Sequence, residues 1–491
     1  MNLSLLPGLV LLLASGTVTA QAPPGDGHRL GALDFHACEL GGEGVPVLAA
    51  RCARLRVAEN PAAPQGRQIE LAVAWLPARG SRPQPDALVF LAGGPGQSAL
   101  QSYPLLASAL QGLRSDRHVI LLDQRGTGGS NRLACALPDW RDATQLSSAA
   151  LRAQALDCRQ TLSERADLRY YTTADYVRDL ETLRQTLGIP QFNLLAGSYG
   201  TRVALEYLRR HPQAIRSAVL DGVVPPRLAL LQDHAQNLEQ ALAAQFARCA
   251  ASASCHQRFG PLDALLTRLR ERLRQQPLRV RYADPRRHTP REELLSEDLL
   301  KAVVRLFAYA PESVALLPLL LHEADQGRPQ ALMAQAQLLI DSLEGQLAHG
   351  MELSVLCTED APFLQRRPED AATLLGETGQ ELAEAQCAVW PRGELAADFK
   401  QPVRARTPVL LLSGEYDPVT PPRYAAEVAA DLPNSRQLLA PGQGHIVLNR
   451  GCMPRLVRRF VEQLQPAALD AACLDALDGL PAFETYLGAG P

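Results

Sequence analysis

The feature that most constrains this chain is a series of short apolar runs, each closed by a turn of glycines and small polar residues. Ala87-Leu88-Val89-Phe90-Leu91 leads into Ala92-Gly93-Gly94-Pro95-Gly96-Gln97-Ser98. His118-Val119-Ile120-Leu121-Leu122 leads into Asp123-Gln124-Arg125-Gly126-Thr127-Gly128-Gly129-Ser130. Phe192 to Ala196, Ser217 to Asp221, Val409 to Ser413 and Arg436 to Ala440 extend the series. Continuous apolar runs are what strands need when helices cover both faces of their sheet. Amphipathic stretches separate them: Thr173 to Leu187 gathers Val177, Leu180, Leu183 and Leu187 on one side and stops at Gly188. Strands alternating with helices predict an α/β fold with a mostly parallel central sheet.

Ahead of that series lie a Pro/Gly-rich leader and two alternating segments. Ala53, Leu55 and Val57 share a face of the first, and Ile69, Leu71, Val73 and Trp75 share a face of the second. The link Glu59 to Arg67 carries prolines and a glycine, so the pair reads as a half-buried antiparallel hairpin. From Pro225 to about Lys400 helical periodicity dominates, over Leu228 to Ala250, Pro261 to Gln276, Ser296 to Tyr309, Glu312 to Asp325 and Gln330 to His349. Leu278 to Tyr282 is the clear strand within it. The division expected is a signal peptide over 1–20, a first core part over 21–225, a helical cap insertion over 226–400 and a second core part over 401–491. The arginines Arg268, Arg270, Arg272 and Arg274 read as solvated helix surface.

A formal charge of −3 over 491 residues, with no long basic run, points away from nucleic acid and from a membrane surface. Leu3 to Val18 is apolar and short, and Val18-Thr19-Ala20 is a small-residue cleavage site before Gln21, although the segment lacks the usual leading Lys or Arg. Export to a periplasm or beyond the cell follows, with no stable membrane association after cleavage. Ten cysteines, Cys38, Cys52, Cys135, Cys158, Cys249, Cys255, Cys357, Cys387, Cys452 and Cys473, fall into five local pairs of neighbours. No C-x-x-C occurs and the cysteines do not cluster with histidines, so disulfides are expected and neither metal nor cofactor is. Sequence alone leaves their connectivity open.

The chemistry centres on Gly197-Ser198-Tyr199-Gly200, a G-x-S-x-G turn between an apolar strand and a helix. A serine on so sharp a turn is lifted clear of the sheet. It needs a base to take its proton and a third group to orient that base. Catalytic groups of a parallel sheet gather at the carboxyl ends of its strands. Two later strand ends supply Asp417 and His445, completing a catalytic set of Ser198, Asp417 and His445 in that order. Backbone N–H groups must receive the oxyanion. Tyr199 follows the nucleophile, and Gly94, preferred to Gly93, lies in the first strand-to-helix loop, so these two form the expected oxyanion hole. His118, His211, His234 and His349 sit at strand or helix positions that fit a base poorly.

With these residues the chain resembles the α/β-hydrolases of the prolyl iminopeptidase and tripeptidyl aminopeptidase group, in its secreted branch. The shared motifs are Gly93-Gly94-Pro95-Gly96, Asp123 to Ser130, Gly197-Ser198-Tyr199-Gly200, Gly414-Glu415-Tyr416-Asp417-Pro418-Val419-Thr420-Pro421 and Gly442-Gln443-Gly444-His445. The resemblance implies an α/β-hydrolase fold with a helical cap and a tripeptidyl-aminopeptidase-like C-terminal segment. It also implies a serine peptidase that releases amino acids or short peptides from substrates with a free N-terminus. An esterase or other small-molecule hydrolase is the alternative use of the same triad. Members of the family hold the substrate amine with acidic cap residues. Val355-Leu356-Cys357-Thr358-Glu359-Asp360 resembles that site, making Glu359 and Asp360 the candidates, with Asp123 more a brace for its loops. Ala92 stands where members often carry His, and Tyr199 where many carry Trp. Neither difference touches the backbone donors.

Overall fold

The computed structural model describes residues 28–42, 45–135, 147–343 and 345–489; the expected signal peptide lies outside them. The strands are β1 (His28–Leu30), β2 (Leu33–Gly42), β3 (Val45–Ala58), β4 (Gln68–Leu76), β5 (Ala87–Leu91), β6 (His118–Leu122), β7 (Phe192–Gly197), β8 (Ile215–Asp221), β9 (Leu278–Ala283), β10 (Pro290–Leu295), β11 (Val409–Gly414) and β12 (Ser435–Ala440). Ten of them form one sheet in the order β1-β2-β3-β4-β6-β5-β7-β8-β11-β12. The strands from β6 to β12 in that order pair in parallel, and β1 to β4 join them antiparallel.

The reason is visible in the side chains. β5, β7 and β11 are buried almost throughout, because helices lie on both faces. Leu180, Leu183 and Val203 pack on one face, and Met453, Leu456 and Phe460 of the helix Met453–Gln463 on the other. The helix Thr173–Leu187 ends as expected, with Gly188 at φ 66°. The expected antiparallel hairpin is β3–β4, with Leu55 opposite Leu71. β1 and β2 lie outside it and escaped the reading, since Leu33–Gly42 mixes charged and apolar residues without clean alternation.

The helical region carries its own core, in which Leu242, Leu269, Leu300, Val304 and Leu321 meet. Several boundaries within it depart from expectation. The first helix begins at His234, not Leu228: Leu230 N–H is captured by Asp360 at 2.9 Å, and Leu231 takes φ 76°. Glu312 to Asp325 is two short helices, Pro311–Val314 and Leu317–Asp325. The helix expected to reach His349 ends at Leu343, and Gly345 at φ 78° precedes a separate buried helix, His349–Glu359. β9 pairs with β10, whose Pro-Arg-Glu-Glu sequence hides a strand because one side faces water. Arg270 and Arg274 reach Glu297, while Arg268 and Arg272 reach Asp325, so that face cross-links helices instead of only facing solvent.

Disulfides join each cysteine to its neighbour in sequence: Cys38–Cys52, Cys135–Cys158, Cys249–Cys255, Cys357–Cys387 and Cys452–Cys473. Among the described residues no helix is long and apolar enough to cross a membrane.

Candidate active site

β7 ends in the turn that carries Ser198. The serine adopts φ 53°, ψ −124°, a strained conformation for a side-chain-bearing residue. The helix Tyr199–Arg210 starts so close to β5 that a Cβ on Gly200 would drive into Leu91 O, so only glycine fits. Ser198 N–H donates to Asp221 O at 2.8 Å, tying the turn to the end of β8. The loop after β5 leans over the serine. A methyl group on Gly93 would meet Ser198 Cβ at 3.1 Å, whereas Gly94, at φ 104°, turns toward Gly96 and Gln97. Asp123 holds this loop in place: it accepts from Ser98 Oγ at 2.6 Å, Leu100 N at 3.0 Å and Gly129 N at 2.9 Å. That is the bracing role expected of it.

Asp417 and His445 arrive from the ends of β11 and β12. His445 Nδ1 lies 2.8 Å from Asp417 Oδ2. Val419 N and Thr420 N each donate to Asp417 Oδ1 at 2.8 Å, and Thr420 Oγ1 donates to Oδ2 at 2.8 Å. Because Thr420 already donates to the carboxylate, the network assigns the Nδ1 proton to the His445–Asp417 bond and leaves Nε2 unprotonated. Burial works against charge on both groups, but each outweighs it for the other: Asp417 is held below the usual carboxylate range and His445 above the usual imidazole value. No hydrogen bond joins the Ser198 hydroxyl to His445; the two are brought together through β8, since the imidazole packs over Gly222, where a Cβ would meet Cε1 at 2.9 Å.

Two supports of His445 were not anticipated. Asp221 accepts from Val447 N at 2.8 Å and Leu448 N at 2.7 Å, so its side chain fixes the histidine loop while its carbonyl fixes the serine turn. Burial raises its pKa to about 7 against those N–H bonds. The acidic end of a buried strand beside two catalytic turns was the available signal. Tyr309 comes from the helical region; its carbonyl accepts His445 N–H at 2.7 Å, and its ring stands edge-on to the imidazole at 5.4 Å. Nothing local in sequence marks Tyr309, because its partner lies more than a hundred residues on.

The expectation for Glu359 and Asp360 is corrected in its geometry. They end the buried helix His349–Glu359, and both side chains are 0% exposed. Glu359 accepts from Thr173 N at 2.7 Å and Thr173 Oγ1 at 2.8 Å. Thr173 Oγ1 meets Tyr199 Oη at 2.7 Å, and Gln124 Nε2 donates to the same hydroxyl at 3.1 Å. Asp360 accepts from Arg202 Nη1 at 2.9 Å and Lys400 Nζ at 3.0 Å. Burial pushes Glu359 up to about 7, whereas Arg202 and Lys400 outweigh burial and hold Asp360 below the usual range. Both carboxylates are therefore filled by partners of this chain and present no surface to a substrate amine.

A sequence model of the family described as alpha/beta hydrolase fold matches residues 86–449. The serine protease Hip1 of Mycobacterium tuberculosis strain H37Rv is 23% identical over 456 residues, covering 84% of this chain and 85% of that protein. The tripeptidyl aminopeptidase of Streptomyces coelicolor is 31% identical over 192 residues, 36% of this chain and 35% of its own length. Among solved structures, a proline iminopeptidase of Mycobacterium smegmatis aligns over 84% of this chain and 99% of its own, at 17% identity and a TM-score of 0.43. With the matched span covering all the parallel strands and the loops of Ser198, Asp417 and His445, the chain belongs to the α/β-hydrolase fold family.

Proposed function

We propose that this protein is a serine peptidase that releases amino acids or short peptides from substrates with a free N-terminus, through an acyl-enzyme on Ser198. The observation that carries the chemistry is the Asp417–His445 pair, bonded at 2.8 Å and packed on the strand end that anchors the strained serine turn. In this reading His445 Nε2 takes the Ser198 proton as the oxygen attacks the scissile carbonyl, and returns it to the departing amine. Asp417 orients the ring and stabilises its charged form. The backbone N–H groups of Gly94 and Tyr199 receive the oxyanion, with Gly93 making the close approach to the serine. The peptide preference is supported by the names of the relatives, a serine protease and a tripeptidyl aminopeptidase. Export is supported by five disulfides, bonds that persist in oxidising compartments.

The test is a substrate panel of aminoacyl, tripeptidyl and N-blocked chromogenic amides beside short acyl esters, run on wild type and Ser198→Ala. Amides with a free amine should be turned over and their N-blocked counterparts poorly. Ser198→Ala should lose about 10⁴-fold or more in kcat. Cleavage of esters alone would make the protein an esterase, and indifference to the blocked amine would remove the exopeptidase assignment. Because His445 acts as a neutral base and its pKa is raised, kcat/KM should climb with pH through a midpoint above 6.5.

A further inference from the structure

Most arginines of the helical region are paired with carboxylates of this chain. Among the described arginines between residues 226 and 400, only Arg258, Arg287, Arg305 and Arg392 lack a carboxylate partner. Three of these are exposed, where water suffices; Arg305 is half-buried. A guanidinium partly removed from water and left without an anion is an unfilled fork for a carboxylate.

Its surroundings explain why no side chain of this chain fills it. Arg305 Nη2 lies 3.2 Å from His234 Nδ1. Burial, then the charge of Arg305, then that of His445, push His234 down to about 3, so the ring is neutral and meets Arg305 with a lone pair. The nearby carboxylates are committed elsewhere: Asp233 to Arg367, Asp360 to Arg202, Asp417 to His445 and Glu312 to Arg450. The position is next to the triad. Arg305 lies in the last turn of the helix Glu297–Phe307, and Tyr309, in the turn that directly follows it, is the residue whose ring and carbonyl touch His445. His234 opens the helix His234–Ala251 one turn before Asn237, whose Nδ2 donates to the carbonyl of Val419 at 2.9 Å, and Val419 N–H in turn donates to Asp417.

We infer that Arg305, steadied by the His234 ring, is a carboxylate-binding subsite beside His445 that takes an anionic group of the substrate. Two sources share that chemistry: the free C-terminal carboxylate of a short peptide, or an aspartate or glutamate side chain. The inference rests on the reading of Ser198, Asp417 and His445 as the reacting centre.

The experiment compares kcat/KM for two matched pairs of short peptides with free amines, one pair differing as C-terminal acid and amide, the other as glutamate and glutamine. A charge-assisted contact at this site should favour the acid of one pair by about 10-fold or more. Arg305→Gln should bring that ratio to about 1, mostly through KM, and Arg305→Lys should keep part of it. Which pair responds identifies the source. Equal rates within both wild-type pairs, or a preference that survives in Arg305→Gln, would overturn the subsite. An aryl hemisuccinate set against an aryl butyrate reads the same preference if only esters are cleaved, so failure of the peptidase reading stays distinct. Inhibition of wild type by glutarate against its monoamide needs no variant, and equal inhibition would likewise count against the subsite.

Discussion

Two buried acidic centres flank the Ser198 turn, and they differ in what their partners are able to do. On one side Asp417 meets His445; on the other Asp360 meets Arg202 and Lys400. All these carboxylates are shut away from water. An imidazole gives up its proton near neutral pH, whereas a guanidinium never does. The Asp417 centre is therefore built on a partner that exchanges a proton near neutral pH, whereas Asp360 is held by a permanent cation, with Lys400, lowered by burial to about 8, beside it. Burial alone does not set what a carboxylate can do; the chemistry of its partner does.

Asp417→Asn is the most severe way to test the first centre. It keeps the shape but leaves His445 without its orienting charge, and kcat should fall by about 10⁴-fold. A loss under tenfold would remove Asp417 from the mechanism. Next in size is Arg202→Met, which leaves buried Asp360 with Lys400 as its one remaining charged partner. Urea unfolding should show about 3–5 kcal/mol of lost stability. If the folded variant instead lost rate as deeply as Asp417→Asn, the contrast between the two centres would collapse. Asp221→Ala removes the acceptor for Val447 and Leu448 and loosens the histidine loop. Small misplacement of a catalytic group costs about 10²-fold in rate, so kcat should drop by that order with KM little moved.

The smallest effect concerns Glu359. Its folded pKa is raised to about 7 from 4.5, so its contribution to stability is fully present below 4.5 and is lost as pH rises through 7. Glu359→Gln has no proton to lose. Its Tm relative to wild type should therefore rise between pH 5 and pH 8; a flat difference would mean that Glu359 ionises without cost.

Much of the site was legible because its parts are local. Each of Gly94, Ser198, Asp417 and His445 ends an apolar strand in a turn of small residues, and such strands are recognisable one at a time. The disulfides were legible for a similar reason, each bond joining neighbours in sequence. The setting of Glu359 and Asp360 was not legible, because nothing local shows that Arg202, 158 positions away, is brought beside Asp360. Arg305 and Tyr309 carried no signal at all, one being an ordinary residue of an amphipathic helix and the other lying in the turn that ends it.

The sequence by itself determined the strand series, the chain order of Ser198, Asp417 and His445, and the turns that present them. These depend on side-chain patterning within a few residues. Only the tertiary structure decided which carboxylate faces a histidine and which faces an arginine, that Asp221 joins the serine turn to the histidine loop, and that Tyr309 sets the helical region against His445. Those outcomes depend on which distant groups share a low-dielectric interior, where a charge is tolerable only with its partner in contact.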